Sequence, residues 1–219
     1  MVETVLDSRR ECDKQMKRFQ SIFAILLGMA AASAVAQVPT AAFLEPNGRY
    51  SQDQMIILYK SCAPHAALNT MLAVATTESD FHPYAISVNS PQKIASRLGP
   101  TNQAIELQRQ PNSKLEAVLW MHWLLKHRIS VSVGLLQVST DNAARFHLNP
   151  ERLFDACTNI AVGANLLAEA YAAQKQAAPN DPDALLHALS IYNSGTANLG
   201  FYNGYVDRIL KNAKPRASK

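Results

Sequence analysis

Glu78 is the residue of this chain whose surroundings most favour acid–base chemistry. The spacing predicts a helix from His65 to Ser79, because Leu68, Met71, Leu72 and Ala75 recur at intervals of three and four. On that helix Glu78 falls on the same side as Ala67, Met71, Val74 and Ala75, which is the apolar side. Burial there disfavours a carboxylate and raises its pKa. Glu78 also sits in the last turn, beside the partial negative charge of the helix C-terminus, which holds the proton more tightly. Both effects favour a carboxylic acid that keeps its proton near neutral pH. Such a group protonates a leaving oxygen and later takes a proton back. The competing reading is a frayed-end glutamate that reaches solvent. Asp80 would point to the far side of a continued helix and is a poor second carboxylate. Asp141 and Asp155 stay open for that role.

The elements that would position Glu78 are mostly helical. Pro83 ends the Glu78 helix. Residues 87–112, with Pro91, Gly99, Pro100 and Pro111, read as a loop or lid with little share in the core. Ser113 to Glu116 has the form of a capping box opening a helix from Leu115 to His127. Ile129 to Val133 alternates like a short strand, broken by Gly134. Asn149-Pro150 and Asp181-Pro182 read as helix starts. Helices are expected from about Ala156 to Gln174, from Asp181 to Gly195, and from about Tyr205 to Ala213. The result is a mainly α domain with at most a small β-hairpin.

The N-terminal stretch reads as an export signal. Lys17-Arg18 precede an apolar run from Ile22 to Ala31, and Ala34-Val35-Ala36 forms a small-residue cleavage site. Cleavage is expected after Ala36, with Ala34 as the near alternative. The run is too short for a permanent membrane anchor, although an uncleaved anchor is the competing reading. Residues 1–15 carry acidic side chains unusual for such a signal, so whether the working start is Met1 or Met16 stays open. Cys12 would leave with the leader, and Cys62 and Cys157 would remain as an even pair in an oxidising compartment. A bridge between them is one reading, and two separate buried thiols are the other. No metal-binding spacing of His and Cys appears, so neither a metal nor another cofactor is expected. A net charge of +4 is far from the dense basic stripe of a nucleic-acid binder and suits an anionic polymer. The domain plan is a leader over 1–36, a lead-in over 37–58, one domain over 59–213 and a basic tail over 214–219.

Three stretches, in order, resemble the motifs of soluble lytic transglycosylases and goose-type lysozymes. They are Glu78-Ser79-Asp80-Phe81-His82-Pro83-Tyr84-Ala85, Gly134-Leu135-Leu136-Gln137-Val138, and Tyr192-Asn193-Ser194-Gly195. Cys62-Ala63-Pro64, Phe154 to Asn159 and Gly200 to Val206 resemble the branch of that group associated with type IV secretion and conjugation. Leu136 stands where the group usually has methionine, a volume-conserving change. The distance from Glu78 to Gly134 is longer than usual, so residues 90–128 read as an insertion.

The resemblance implies a lysozyme-like α+β domain and a periplasmic enzyme acting on the glycan strands of peptidoglycan. It implies that Glu78 cleaves the bond between N-acetylmuramic acid and N-acetylglucosamine, leaving a 1,6-anhydro end without a second carboxylate. It implies that Tyr192 hydrogen-bonds and orients Glu78, and that Ser79, Gln137, Asn193, Leu136 and Gly134 belong to the substrate site. It further implies partners among type IV secretion components. A muramidase cutting the same bond with water, and a non-catalytic wall-binding scaffold, are the competing expectations.

Overall fold

The computed structural model describes residues 44–45, 48–89 and 107–213. The expected leader, the first part of the insertion (90–106) and the basic tail lie outside the described residues.

The first helix, α1 (Gln52–Cys62), is started by a reciprocal cap. Ser51 Oγ accepts from the Gln54 amide, and Gln54 Oε1 accepts from the Ser51 amide at 2.7 Å. Met55, Leu58 and Tyr59 on α1 are buried in the core. Most of α1 therefore lies in the stretch expected to be a lead-in and belongs to the folded body instead. A disulfide joins Cys62, at the end of α1, to Cys157, at the start of the long fourth helix, with Cα atoms 5.1 Å apart. Of the two readings for these cysteines, the bridge is the one the structure contains.

The second helix, α2 (Leu68–Ser79), begins three residues later than its periodicity predicts and carries Glu78 in its last turn. Asp80 (φ 49°) and Phe81 (φ 64°) then adopt left-handed backbone in succession. Such residues each cost of order 1–3 kcal/mol unless their surroundings hold them. Here Phe81 is buried and its carbonyl accepts from the Tyr50 amide at 3.0 Å. The Asp80 carboxylate meets Arg49 Nε at 3.2 Å. This turn reverses the chain into β1 (Ile86–Val88).

β1 pairs antiparallel with β2 (Val131–Val133), which pairs antiparallel with β3 (Val138–Ser139). The expected hairpin thus gains a third strand, and the expected loop over 87–112 gives up its first residues to that strand. Alternation decides what each face carries. Val131 and Val133 are fully buried, while Ser132 faces the other way. The register places Ser87 opposite Ser132 and Ser132 opposite Ser139, so three hydroxyls form one row across the sheet.

The third helix, α3 (Lys114–Lys126), is capped by Ser113, whose Oγ accepts from the Glu116 amide. The other half of the expected box is redirected. Glu116 takes the Asn112 amide at 2.8 Å and pairs with Arg109. Ala117, Met121 and Leu124 face the core, so the described part of the expected insertion helps to build the body. Asn149 caps a 3-10 turn, Pro150–Phe154, before α4 (Ala156–Gln174), itself capped by Asp155. The next helix, α5 (Asp181–Ser194), is capped by Asn180, one residue earlier than expected, and ends as expected at left-handed Gly195. Two shorter helices close the fold, α6 (Leu199–Tyr202) and α7 (Tyr205–Asn212). α4 packs on α1 and α5, and α7 packs on α2, which brings the end of the chain to Glu78. Among the described residues no helix is long and apolar enough to cross a membrane.

Candidate active site

Glu78 is half-buried and opens onto a groove of about 770 Å³ between the sheet, α4 and α5. That volume lies within the ordinary range for ligand sites. Burial pushes the Glu78 carboxyl up from 4.5 to about 7, against the opposing pull of the Tyr205 hydroxyl and the Arg208 cation. The apolar side of α2 thus does what its periodicity implies, and the frayed-end reading gives way.

The hydroxyl that orients Glu78 is that of Tyr205, which donates to Glu78 Oε1 at 2.6 Å. Tyr192, expected in that role, donates instead to the Leu136 carbonyl at 2.6 Å while lining the same groove. Burial, reinforced by the charge of Glu78, pushes the Tyr205 phenol well above its usual range, so it stays a donor. Tyr205 opens α7, and its amide donates to Asn203 Oδ1 at 2.9 Å. Asn203 Nδ2 in turn donates to Asn193 Oδ1 at 2.8 Å. Asn193, expected near the substrate, therefore lines the groove and also braces the turn that presents Tyr205.

The Gly134–Val138 stretch sits beside Glu78 and is held from several directions. Ser79 Oγ donates to the Leu135 carbonyl at 2.8 Å. Asn159, buried on α4, accepts from the Leu136 amide and donates to the carbonyls of Val133 and Leu153, each at 2.8 Å. A Cβ at Gly134 would lie 2.3 Å from Asn159 Nδ2 and 2.7 Å from the Leu153 carbonyl oxygen. With φ at 80°, that position suits only glycine. Gly163 on α4 serves close approach in a similar way, since a Cβ there would stand 2.5 Å from Leu136 Cδ1.

Of the expected substrate residues, Gln137 and Asn193 line the groove, whereas Ser79, Leu136 and Gly134 shape the support beneath it. Gln137 is pre-set: its Nε2 donates to the carbonyls of Gly134 and Ala85, and its Oε1 accepts from Ser87 at 2.7 Å. The row of Ser87, Ser132 and Ser139 forms one wall, with Asn89 bonded to Ser132 and Ser139. Of the open carboxylates, Asp155 is spent on capping α4 and Asp141 accepts from Ser130; neither lines the groove. Asp80 is exposed and turned towards Arg49. The other carboxylate lining the groove is Glu169, bonded to Arg145 at 2.7 Å. Among the described residues no cluster of three or more His, Cys, Asp or Glu side chains could hold a metal ion.

Tyr205 and Asn159 hold the site together, and neither is among the site residues expected from sequence. Both lie inside quoted motifs, Gly200 to Val206 and Phe154 to Asn159, and that placement is the signal that points to them.

The family model of the transglycosylase SLT domain matches residues 55–214. Protein virB1 of Agrobacterium fabrum is 33% identical over 150 residues, covering 68% of this chain and 55% of that protein. The type IV secretion system protein virB1 of Brucella abortus is 30% identical over 164 residues, covering 72% of this chain and 63% of that protein. The chain thus matches somewhat more than half the length of these relatives. No solved structure matches it. The match over residues 55–214 takes in Glu78, the Gly134–Val138 stretch, Tyr192 and Tyr205 together, and the chain belongs to the transglycosylase SLT domain family.

Proposed function

We propose that this protein is a peptidoglycan lytic transglycosylase whose single acid/base is Glu78. One observation carries the reading: a carboxyl group with its pKa raised to about 7 faces a polar groove while a tyrosine hydroxyl fixes one of its oxygens. Because Tyr205 donates to Oε1, the acidic proton belongs on Oε2, the oxygen left to address the groove. That proton goes to the oxygen linking N-acetylmuramic acid C1 to N-acetylglucosamine, and the C1–O bond breaks. The substrate's own N-acetyl group stabilises the electron-poor C1, in place of the nucleophilic carboxylate of two-carboxylate glycosidases. The Glu78 carboxylate then takes the proton of the muramic C6 hydroxyl as O6 bonds to C1. The 1,6-anhydro end is complete, Glu78 is reprotonated and no water is consumed.

Gln137, Asn193 and the serine row supply neutral hydrogen-bonding groups for the sugar hydroxyls and acetamides. The substrate lies in the cell envelope, so the site of action is the periplasm. The similarity to virB1 proteins, one named as a type IV secretion system protein, supports a role in opening the wall locally for such an apparatus.

Glu169 keeps hydrolysis in view, since a second groove carboxylate is what a water-activating muramidase needs. Its bond to Arg145 makes it a counter-ion instead. Mass spectrometry of digested wall decides between the two. Anhydromuramic ends are expected; reducing ends would establish hydrolysis, and an undigested wall would leave the scaffold reading.

A further inference from the structure

The groove holds two charged side chains that neither the acid chemistry nor the core requires. Arg145 lies on the 3-10 turn Ala144–Phe146, and Glu169 lies on α4. Arg145 Nη2 meets Glu169 Oε2 at 2.7 Å, and each side chain is 55% exposed. A pair so exposed contributes no more than about 1 kcal/mol to stability, so folding does not account for it. Arg145 is steadied on two further sides. Its Nη1 donates a long bond to Asn142 Oδ1 at 3.4 Å, and its guanidinium lies 5.7 Å from the Phe146 ring centre. The rest of the polar lining apart from Glu78 is neutral hydroxyl, amide and phenol.

A glycan backbone of hexosamines is also neutral, so it gives a guanidinium and a carboxylate nothing to pair with. Charge enters the polymer through the peptide stems attached at muramic acid. These carry carboxylates and, where a diamino acid is present, a free ammonium beside a carboxylate. We propose that Arg145 and Glu169 form the seat for the peptide stem. Arg145 takes a stem carboxylate through its fork of donors, and Glu169 takes the ammonium of the diamino acid. The two side chains separate as the zwitterionic group enters, and each exchanges a solvent-screened partner for one from the substrate. This inference rests on the transglycosylase reading and makes the enzyme selective for stem-bearing strands.

The experiment compares intact wall with wall stripped of its stems by an amidase, using anhydromuramic ends as the readout. Arg145→Gln and Glu169→Gln are each expected to raise KM on intact wall about tenfold with little change in kcat. Stripped strands keep a lactyl carboxylate but lose the ammonium, so Glu169→Gln should turn them over like the unmodified protein. Lys175→Gln removes one charge from an exposed pair with Asp181 away from the groove and should change neither substrate. An equal loss on both substrates from Glu169→Gln would show a structural role and overturn the proposal, as would no loss on either. Should the unmodified protein leave no anhydro ends on either substrate, the transglycosylase reading would fall first and the seat with it. A Glu169→Gln loss confined to intact wall establishes the seat.

Discussion

Two parts of the same groove are built on opposite principles. Around Glu78, polar groups are sheltered and already bonded within the protein: Tyr205 to Glu78, Ser79 to Leu135, Tyr192 to Leu136, and Asn159 to three backbone groups. Around Arg145 and Glu169 the polar groups are charged, half open to solvent and bonded chiefly to each other. The first arrangement sets a proton affinity and an orientation before substrate arrives, which is where fixed dipoles contribute most to a reaction. The second can be rearranged at little cost, which suits recognition. Under the proposed function, chemistry and selection fall to separate walls, and substitutions in each should fail in different ways.

The largest expected effect tests the sheltered wall directly. Glu78→Gln should lower turnover by about a thousandfold or more, measured as anhydro-end release. The same variant reports the cost of the buried acid. Glu78 has a folded-state value of about 7, above its ordinary 4.5. Its favourable contribution is therefore full below about pH 4.5 and lost as pH rises through 7. Glu78→Gln should accordingly match the parent in stability near pH 4 and exceed it by roughly 3 kcal/mol near pH 8, at about 1.4 kcal/mol for each unit between the two values. Equal melting at both pH values would mean that the carboxyl is not sheltered.

Next in size, Asn159→Ala strips one amide and two carbonyls of their partner. It should cost about 3 kcal/mol in denaturant unfolding, whereas a cost below half of that would make the wall beside Glu78 less tightly specified than its hydrogen bonds imply. Tyr205→Phe is a finer probe, expected to lower kcat about tenfold with little change in KM. The hydroxyl pulls the Glu78 value down, so its loss should move the alkaline fall in activity to higher pH. A shift to lower pH would refute the assigned hydrogen bond. The smallest effect belongs to the open wall, where Glu169→Gln should change folding stability by less than about 0.5 kcal/mol. A larger change would blur the distinction between the walls.

What could be read from the sequence was what a few neighbouring residues decide. Ser113 as a cap, Gly195 as a helix stop and the apolar side that carries Glu78 all depend on groups within about a turn of one another. The same applies to α1, whose Ser51–Gln54 cap and buried Met55, Leu58 and Tyr59 follow ordinary rules, although Pro39, Pro46 and Gly48 just ahead make the stretch look like a lead-in. β1 is different. Ile86–Val88 is too short to show alternation, and its pairing with β2 makes it a strand. The exchange of Tyr192 for Tyr205 has the same origin. Their motifs are both visible, but which hydroxyl reaches Glu78 depends on how α7 packs on α2. That contact joins residues 127 positions apart. Asn159 likewise gathers Val133, Leu136 and Leu153 from outside its own helix, and no local pattern announces such a hub.

The Cys62–Cys157 bridge has a practical consequence. Glu78 and the Gly134–Val138 stretch both lie inside the covalent ring it closes. A single proteolytic cut anywhere between the two cysteines would open that ring without releasing a fragment. The nicked protein would run as one species until a reductant was added, then as two. Such cuts could therefore go unnoticed on a gel run without thiol.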